Sequence, residues 1–289
     1  MLNKSQIKKI VELKKEFDSL KVGKEGLLQI IFEAELPEMV YNSNAIENST
    51  LTLPETEKIL LELEVSRDIS VREIFETKNL AKVSEYLQNN LTKVEINKKS
   101  ILLLHKMLML NINDEIAGRF RRDGEFVRVG AYVAPAPEKI NEMLDKILLD
   151  YSSQVNEFIV NKVADFHREF ETIHPFIDGN GRIGRVLINL QLMQAGFPPI
   201  IIRNKEKLAY YKTLKNYQLN NIKSGLDKII YLLLQESLHK RLAYLKSKTI
   251  IRLSDYAEQQ DEKLSSLLNK AKRQTIPAFR ERGVWKIGV

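Results

Sequence analysis

A chain of 289 residues with 44% apolar and 29% charged residues and a net charge of +7 is globular in composition, sized for one large domain or a domain with a small appendage. The absence of cysteine removes disulfides, thiolate metal sites and cysteine nucleophiles together. The longest apolar run, Ile229 to Leu234, is far too short to span a bilayer, and the charged stretch Met1–Lys24 carries no leader pattern, so the expectation is a cytoplasmic protein with no membrane partner.

Scarce glycine and proline (12 and 8) and apolar spacings of three and four predict a mainly α chain. Thr52-Leu53-Pro54-Glu55 predicts a helix running to near Glu64, with Thr52 as cap and Glu55 completing a capping box. Arg119 to Pro137 breaks the helical pattern. There, an Asp123-Gly124 turn between partly alternating Phe, Val and Tyr predicts a β-hairpin flap with a proline-rich exit. Val163, Phe166, Phe170 and Ile173 predict one helical stripe, and Ile183, Val186, Leu187, Leu190 and Met193 another. Lys228–Lys246 reads as a third amphipathic helix. Most of the positive excess falls at the end, where Lys270, Lys272, Arg273, Arg280, Arg282 and Lys286 face Glu281 alone.

Between the two stripes, Gly179-Asn180-Gly181-Arg182-Ile183-Gly184 is a literal G-x-G-x-x-G. A dinucleotide turn needs a buried strand before its first glycine. An amphipathic helix precedes this one, and Pro175 stops it, so the dinucleotide reading fails. The helix that follows does qualify: glycines at a helix N-terminus leave free N–H groups and a positive dipole end, an anion cradle. Taken alone, Gly-Asn-Gly reads more often than not as a tight helix-loop-helix turn. Around it stand His174, Asp178, Asn180, Arg182 and Arg185: a base, a hard-cation ligand, an amide and two guanidinium groups, the parts phosphoryl chemistry requires. The two arginines, at i and i+3, are expected on one side of the helix's first turn. His167 and His174 share a helical face but lack the H-E-x-x-H pattern, so a metal hydrolase is the poorer reading.

His174-Pro-Phe-Ile-Asp-Gly-Asn-Gly-Arg-Ile-Gly-Arg185 resembles the H-P-F-x-[D/E]-G-N-G-R-x-x-R signature of the Fic family at every fixed position. Ser43–Glu55 and Gly118–Pro137 resemble that family's N-terminal segment and flap, and the likeness covers roughly residues 35–240. The resemblance implies transfer of AMP from ATP, with Mg²⁺, to a Ser, Thr or Tyr hydroxyl of a target protein. His174 is then the base, Asp178 the Mg²⁺ ligand, and Gly179, Asn180 and Gly181 the anion-hole donors. Arg182 takes the β-phosphate, Arg185 the γ-phosphate, and Tyr211 the adenine. Phe176 is a core anchor. The death-on-curing branch, which phosphorylates its target, lacks the second arginine and the second glycine, so the resemblance favours AMP transfer; phosphocholine transfer stays open.

Ser43-Asn44-Ala45-Ile46-Glu47-Asn48 resembles the family's inhibitory motif, which implies that Glu47 pairs with Arg185 and fills the γ-phosphate space, with Ser43 and Asn48 completing the motif. Removal of AMP through the same glutamate is a second implied activity. Arg128, Val129 and Gly130 are implied as the flap edge that pairs with the target's backbone. Leu253–Gly288 resembles a small winged-helix unit in which Gly283 turns a hairpin carrying Trp285, and its basic balance suits DNA. The expected organisation is therefore 1–95 as an N-terminal helical region with the inhibitory helix, 96–245 as the catalytic core with its β-hairpin flap, and 250–289 as a small α+β winged-helix-like unit. The competing reading is an ATP-sensing regulator that binds DNA or protein through the tail. A homodimer is the expected assembly partner besides the target.

Overall fold

The computed structural model describes residues 1–63 and 67–289; the helix end expected near Glu64 lies outside the described residues. In chain order the helices are α1 (Lys4–Lys21), α2 (Glu25–Ile46), α3 (Leu53–Leu60), α4 (Val71–Asn89), α5 (Lys98–Met109), α6 (Ile140–Ser153), α7 (Ile159–Ile173), α8 (Asn180–Gln194), α9 (Lys207–Asn220) and α10 (Leu226–Leu245). Between α5 and α6 stands a hairpin of β1 (Arg128–Val129) and β2 (Tyr132–Val133). A C-terminal unit follows, built of β3 (Ile250–Arg252), α11 (Leu253–Gln259), α12 (Leu264–Lys272), β4 (Ala278–Glu281) and β5 (Val284–Gly288). The capping box at Thr52 forms, with Glu55 accepting from the Thr52 N–H at 2.7 Å, but α3 stops at Leu60, where Glu62 turns into the left-handed region (φ 59°).

The helices α7 and α8 lie between two cores, which is what holds the loop joining them. Phe166, Phe170 and Ile173 of α7, with Ile183, Val186, Leu187 and Leu190 of α8, pack into a cluster completed by α2, α4, α5 and α6. Val160, Val163 and Ala164, with Ile188 and Leu192, face the opposite way into a second cluster with α1, α9 and α10. The predicted α8 stripe packs as one face, while Val163 leaves the predicted α7 stripe for the second core, because each helix carries a second apolar face. Burial on two sides fixes both position and rotation of the pair. Residues on either side of position 95 share the first core.

Two expectations need correction. The hairpin does not turn at Asp123-Gly124. Val129 pairs with Tyr132, so the turn is Gly130-Ala131, with Gly130 at φ 61°. Asp123-Gly124 makes a separate tight turn, held by the Arg119–Glu125 ion pair at 2.7 Å. The alternation in the sequence was too short to distinguish the two turns. Nor is α10 amphipathic. Glu236, His239, Lys240 and Arg241 are buried along with its leucines, because charged groups of other elements cover its polar side.

That cover is largely the C-terminal unit. Its sheet, in the order β3-β5-β4, is antiparallel throughout, and Glu281 pairs with Val284 across an Arg282-Gly283 turn. Both turn residues have positive φ (51° and 77°), the geometry that matches strand twist. The unit has its own small core of Leu253, Ala257, Leu267, Ala271, Ala278 and Ile287. It meets the helices through buried charge: Arg280 Nη2 lies 2.7 Å from Glu236 Oε2, and Lys240 Nζ is 3.1 Å from both Glu35 and Glu281. The Arg282 N–H donates to Glu38 Oε2 at 2.8 Å. Glu35 and Glu38 sit on α2, so that helix is held by α10 through Glu35 and by the C-terminal unit through Glu38.

Removing one member of a buried ion pair strands its partner, at a cost of about 3–5 kcal/mol. Arg280→Ala leaves Glu236 with Arg203 alone and is expected to lose stability of that order in urea unfolding followed by circular dichroism. A loss below about 1 kcal/mol contradicts this account of the docking.

Candidate active site

His174 ends α7 as its C-cap, in the left-handed conformation (φ 49°) common at helix C-termini but uncommon for residues other than glycine. Arg121 holds it in place. Its buried guanidinium donates to the carbonyls of Ile173 (3.2 Å), His174 (2.9 Å), Glu125 (3.0 Å) and Pro135 (2.9 Å), tying the end of α7 to both ends of the flap. Tyr132 Oη adds a bond to the Thr172 carbonyl at 3.2 Å. Burial pushes the His174 pKa down to about 4, so the ring is neutral near pH 7, and its Nδ1 lies 3.9 Å from Glu171 Oε2.

The loop beyond His174 is locked from within. Phe176 is fully buried and stacks on His105 (centroids 3.7 Å apart, 5° between planes), the core anchor expected. The Asn180 amide both accepts from the Phe176 N–H (2.9 Å) and donates to its carbonyl (2.8 Å). This corrects the expectation for Asn180 and Gly179: the Asn180 side chain closes the loop and the Gly179 N–H is held by Asp178 Oδ1, which leaves the backbone N–H groups of Asn180 and Gly181 for an anion. Gly118 N–H donates to His105 Nδ1 at 3.0 Å, which makes Nε2 the protonated nitrogen that bonds the Asp178 carbonyl at 3.0 Å. Neither His105 nor Arg121 was visible as a site residue in the sequence, since each acts through backbone groups.

Both signature arginines are buried and answered by carboxylates from the N-terminal helices. Arg185 Nη2 lies 2.9 Å from Glu47 Oε1 and donates to the Ser43 carbonyl at 2.8 Å, while its Nε donates to Ser43 Oγ at 3.0 Å. Burial by itself lowers the Arg185 pKa; the Glu47 charge overrides it and holds the group above its ordinary value. The Glu47–Arg185 contact implied by the resemblance is present, and its geometry accounts for the residue types from Ser43 to Asn48. Ser43 and Glu47, one turn apart, reach one guanidinium; Asn48 (φ 70°) is left-handed, which Asn and Gly tolerate best. A Cβ on Gly181 would fall 2.2 Å from Glu47 Oε1, so that glycine is required by the contact itself. Tyr211 Oη donates to the Ile46 carbonyl at 3.1 Å, and Lys207 bonds Asn48 at 2.6 Å, fastening the end of α2 to α9.

Arg182 does not share Arg185's partners. It bonds Asp178 Oδ1 and Glu76 Oε1, both at 3.0 Å, while Arg72 bonds Asp178 Oδ2. Asp178 is held below its ordinary pKa, burial being outweighed by Arg182, Arg72 and the Gly179 N–H. Among the described residues no three His, Cys, Asp or Glu side chains gather to hold a metal. Asp178 offers one carboxylate beside an anion cradle, a donor set that suits Mg²⁺ sharing its coordination with phosphate oxygens.

A cleft of about 640 Å³ collects these groups: Glu47, His174, Gly181, Arg185 and Tyr211, with Val129 and Gly130 of the flap along its rim. Asp178 and Arg182 lie at the α4 side of the loop, outside that lining. Arg182 Nε and Arg185 Nη1 are buried donors with no partner among the described residues. Unanswered guanidinium donors at a helix N-terminus fit an incoming anion with several oxygens.

Residues 95–192 match the Fic/DOC family. The protein adenylyltransferase Fic of Drosophila willistoni is 36% identical over 181 residues, covering 61% of this chain and 36% of that protein. That of Drosophila erecta is 35% identical over 179 residues, with the same coverage. The match thus spans little more than a third of these relatives' length. Among solved structures, a fragment of Fic-1 from C. elegans superimposes with a TM-score of 0.71 at 27% identity, covering 84% of this chain and 72% of that one. A Fic-domain signalling protein from Bacteroides thetaiotaomicron (TM-score 0.72, 23% identity, 84% and 99% covered) shares the fold. No helix among the described residues is long and apolar enough to cross a membrane.

All four histidines, His105, His167, His174 and His239, are pushed down to between about 3 and about 4, chiefly by burial. Below pH 6.5 the unfolded chain protonates them and the folded protein does not, so stability falls as pH falls from 6.5 toward 4. Glu171, raised to about 8 by burial and by Glu47, opposes this with a single proton. The expected result is a melting temperature that drops steeply between pH 6.5 and pH 4.5; a flat profile contradicts the burial of these rings.

Proposed function

We propose that this chain, in which residues 95–192 form a Fic/DOC domain, is an autoinhibited protein adenylyltransferase. The observation that carries the reading is Arg185, a buried guanidinium held by Glu47 beside a neutral, buried His174 in one cleft. In the reaction the target hydroxyl gives its proton to His174 as its oxygen bonds the α-phosphorus of ATP, and the bond to pyrophosphate breaks. The backbone N–H groups of Asn180 and Gly181 and the two arginines take the phosphate charge. Asp178 would hold Mg²⁺, which when bound neutralises the polyphosphate. The free edge of β1, at Arg128-Val129-Gly130, takes the target's main chain, and Tyr211, whose ring faces the cleft, borders the nucleoside.

With Glu47 on Arg185 the γ-phosphate has no seat, so ATP enters only with its α-phosphate out of line. The competing reading of the tail as a DNA contact has less support. Arg280, Arg282, Lys286 and Lys270 are each committed to internal carboxylates, on Glu236, Glu57, Glu281 and Glu262.

The test is labelling with α-³²P-ATP. Glu47→Gly is expected to label itself or added lysate proteins well above wild type. Adding His174→Ala should remove that label by about a hundredfold or more, the contribution of a general base. ATP binding without label in any variant contradicts the transferase reading.

A further inference from the structure

The contact between α4 and the loop is a closed ring of four charges. Asp178 Oδ1 meets Arg182 Nη2 at 3.0 Å, and Arg182 Nη1 meets Glu76 Oε1 at 3.0 Å. The same Glu76 oxygen takes Arg72 Nε at 3.0 Å, and Arg72 Nη2 returns to Asp178 Oδ2. Two carboxylates and two guanidinium groups alternate, so the ring is neutral and every member has two partners. Arg72 and Glu76 stand one helical turn apart on α4 and lie outside the signature.

The members differ in what they can do. The Arg182 side chain is 3% exposed and Glu76 13%, whereas Arg72 is 55% exposed. A buried guanidinium cannot leave its carboxylates without a large penalty; a half-exposed one exchanges them for water at little cost. Arg72 is therefore the movable member, and the atom it covers is Asp178 Oδ2. The other carboxylate oxygen is already engaged by Arg182 and by the Gly179 N–H at 2.5 Å. Oδ2 is the atom through which Asp178 can reach a hard cation.

We propose that Arg72 is a resident cation in the place of the metal: it neutralises Asp178 in the nucleotide-free protein and must leave Oδ2 before Mg²⁺ can be held there. Glu76 is a positioning residue, keeping Arg182 at the loop while Arg72 comes and goes. This rests on the functional reading above for the nucleotide and its metal. It is separate from the Glu47 contact, which blocks a different arginine from a different helix. Mg²⁺ and Arg72 then compete for one oxygen, and deleting the guanidinium must favour the metal.

The experiment is a Mg²⁺ titration of fluorescent ATP-analogue binding, read by anisotropy, in Glu47→Gly and in that variant with Arg72→Gln or Arg72→Lys. Arg72→Gln is expected to lower the half-saturating Mg²⁺ by about two- to fivefold, the range of a partly exposed ion pair. Affinity at saturating Mg²⁺ and the melting temperature should stay unchanged. Arg72→Lys, which keeps the charge, should fall between. An unchanged or raised half-saturation overturns the proposal. So does weaker binding at saturating Mg²⁺, which would make Arg72 a nucleotide ligand. Absence of nucleotide binding in every variant overturns the functional reading, and this inference with it.

Discussion

A buried guanidinium must have an anion beside it. Arg185 lies between two hydrophobic cores, where burial alone works against its charge, and the chain meets the demand with Glu47 and Ser43. On the proposed reading, a site that receives phosphate oxygens needs a stand-in when they are absent. In the proposed function, inhibition follows from the same electrostatics as substrate binding: the glutamate that answers Arg185 holds the position that the γ-phosphate would take. Gly181 shows how closely the two uses share space, since any side chain there would strike Glu47.

The rest of the molecule holds that arrangement in register. Packing on two faces fixes α7 and α8; Asn180, His105 and Arg121 fix the loop between them through its backbone. On the opposing side, α2 is not free to drift. Its C-terminal end is bonded by Tyr211 and Lys207, and its middle by Lys240, Arg241, Arg203 and the Arg282 backbone acting on Glu35 and Glu38. The C-terminal unit is thus mechanically linked to the helix that carries Glu47. Glu73 of α4 accepts from Ser49 and Thr50, just beyond Glu47 and Asn48, so α4 touches the end of α2 as well as the loop between α7 and α8.

Much of this was legible in the sequence where chemistry and local spacing coincide. His174, Asp178 and the two arginines were readable because a loop crowded with charge has no structural use for it. The predicted stripes of α7 and α8 came from helical period, and Glu47 from a short motif made specific by the loop it serves. What was not legible is non-local. Whether Asp123-Gly124 or Gly130-Ala131 closes the hairpin depends on what Arg121 and Arg119 bind. The polar side of α10 looks solvated until Glu236 and Lys240 meet partners from α2 and β4, many residues away. Arg72 and Glu76 are an ordinary i,i+4 pair until α4 is laid against the loop, and Asn180 looked like a free donor until its amide met Phe176.

The most direct measurement is a pair of crystal structures with Mg²⁺ and a non-hydrolysable ATP analogue, one of wild type and one of Glu47→Gly. The account predicts that wild type keeps Glu47 on Arg185 and holds the α-phosphate out of line with the His174 ring. In the variant, Arg185 should sit on the terminal phosphate with the α-phosphate facing His174. Arg185 already on the terminal phosphate in wild type, with the α-phosphate in line, would contradict the idea that Glu47 stands where the nucleotide must go.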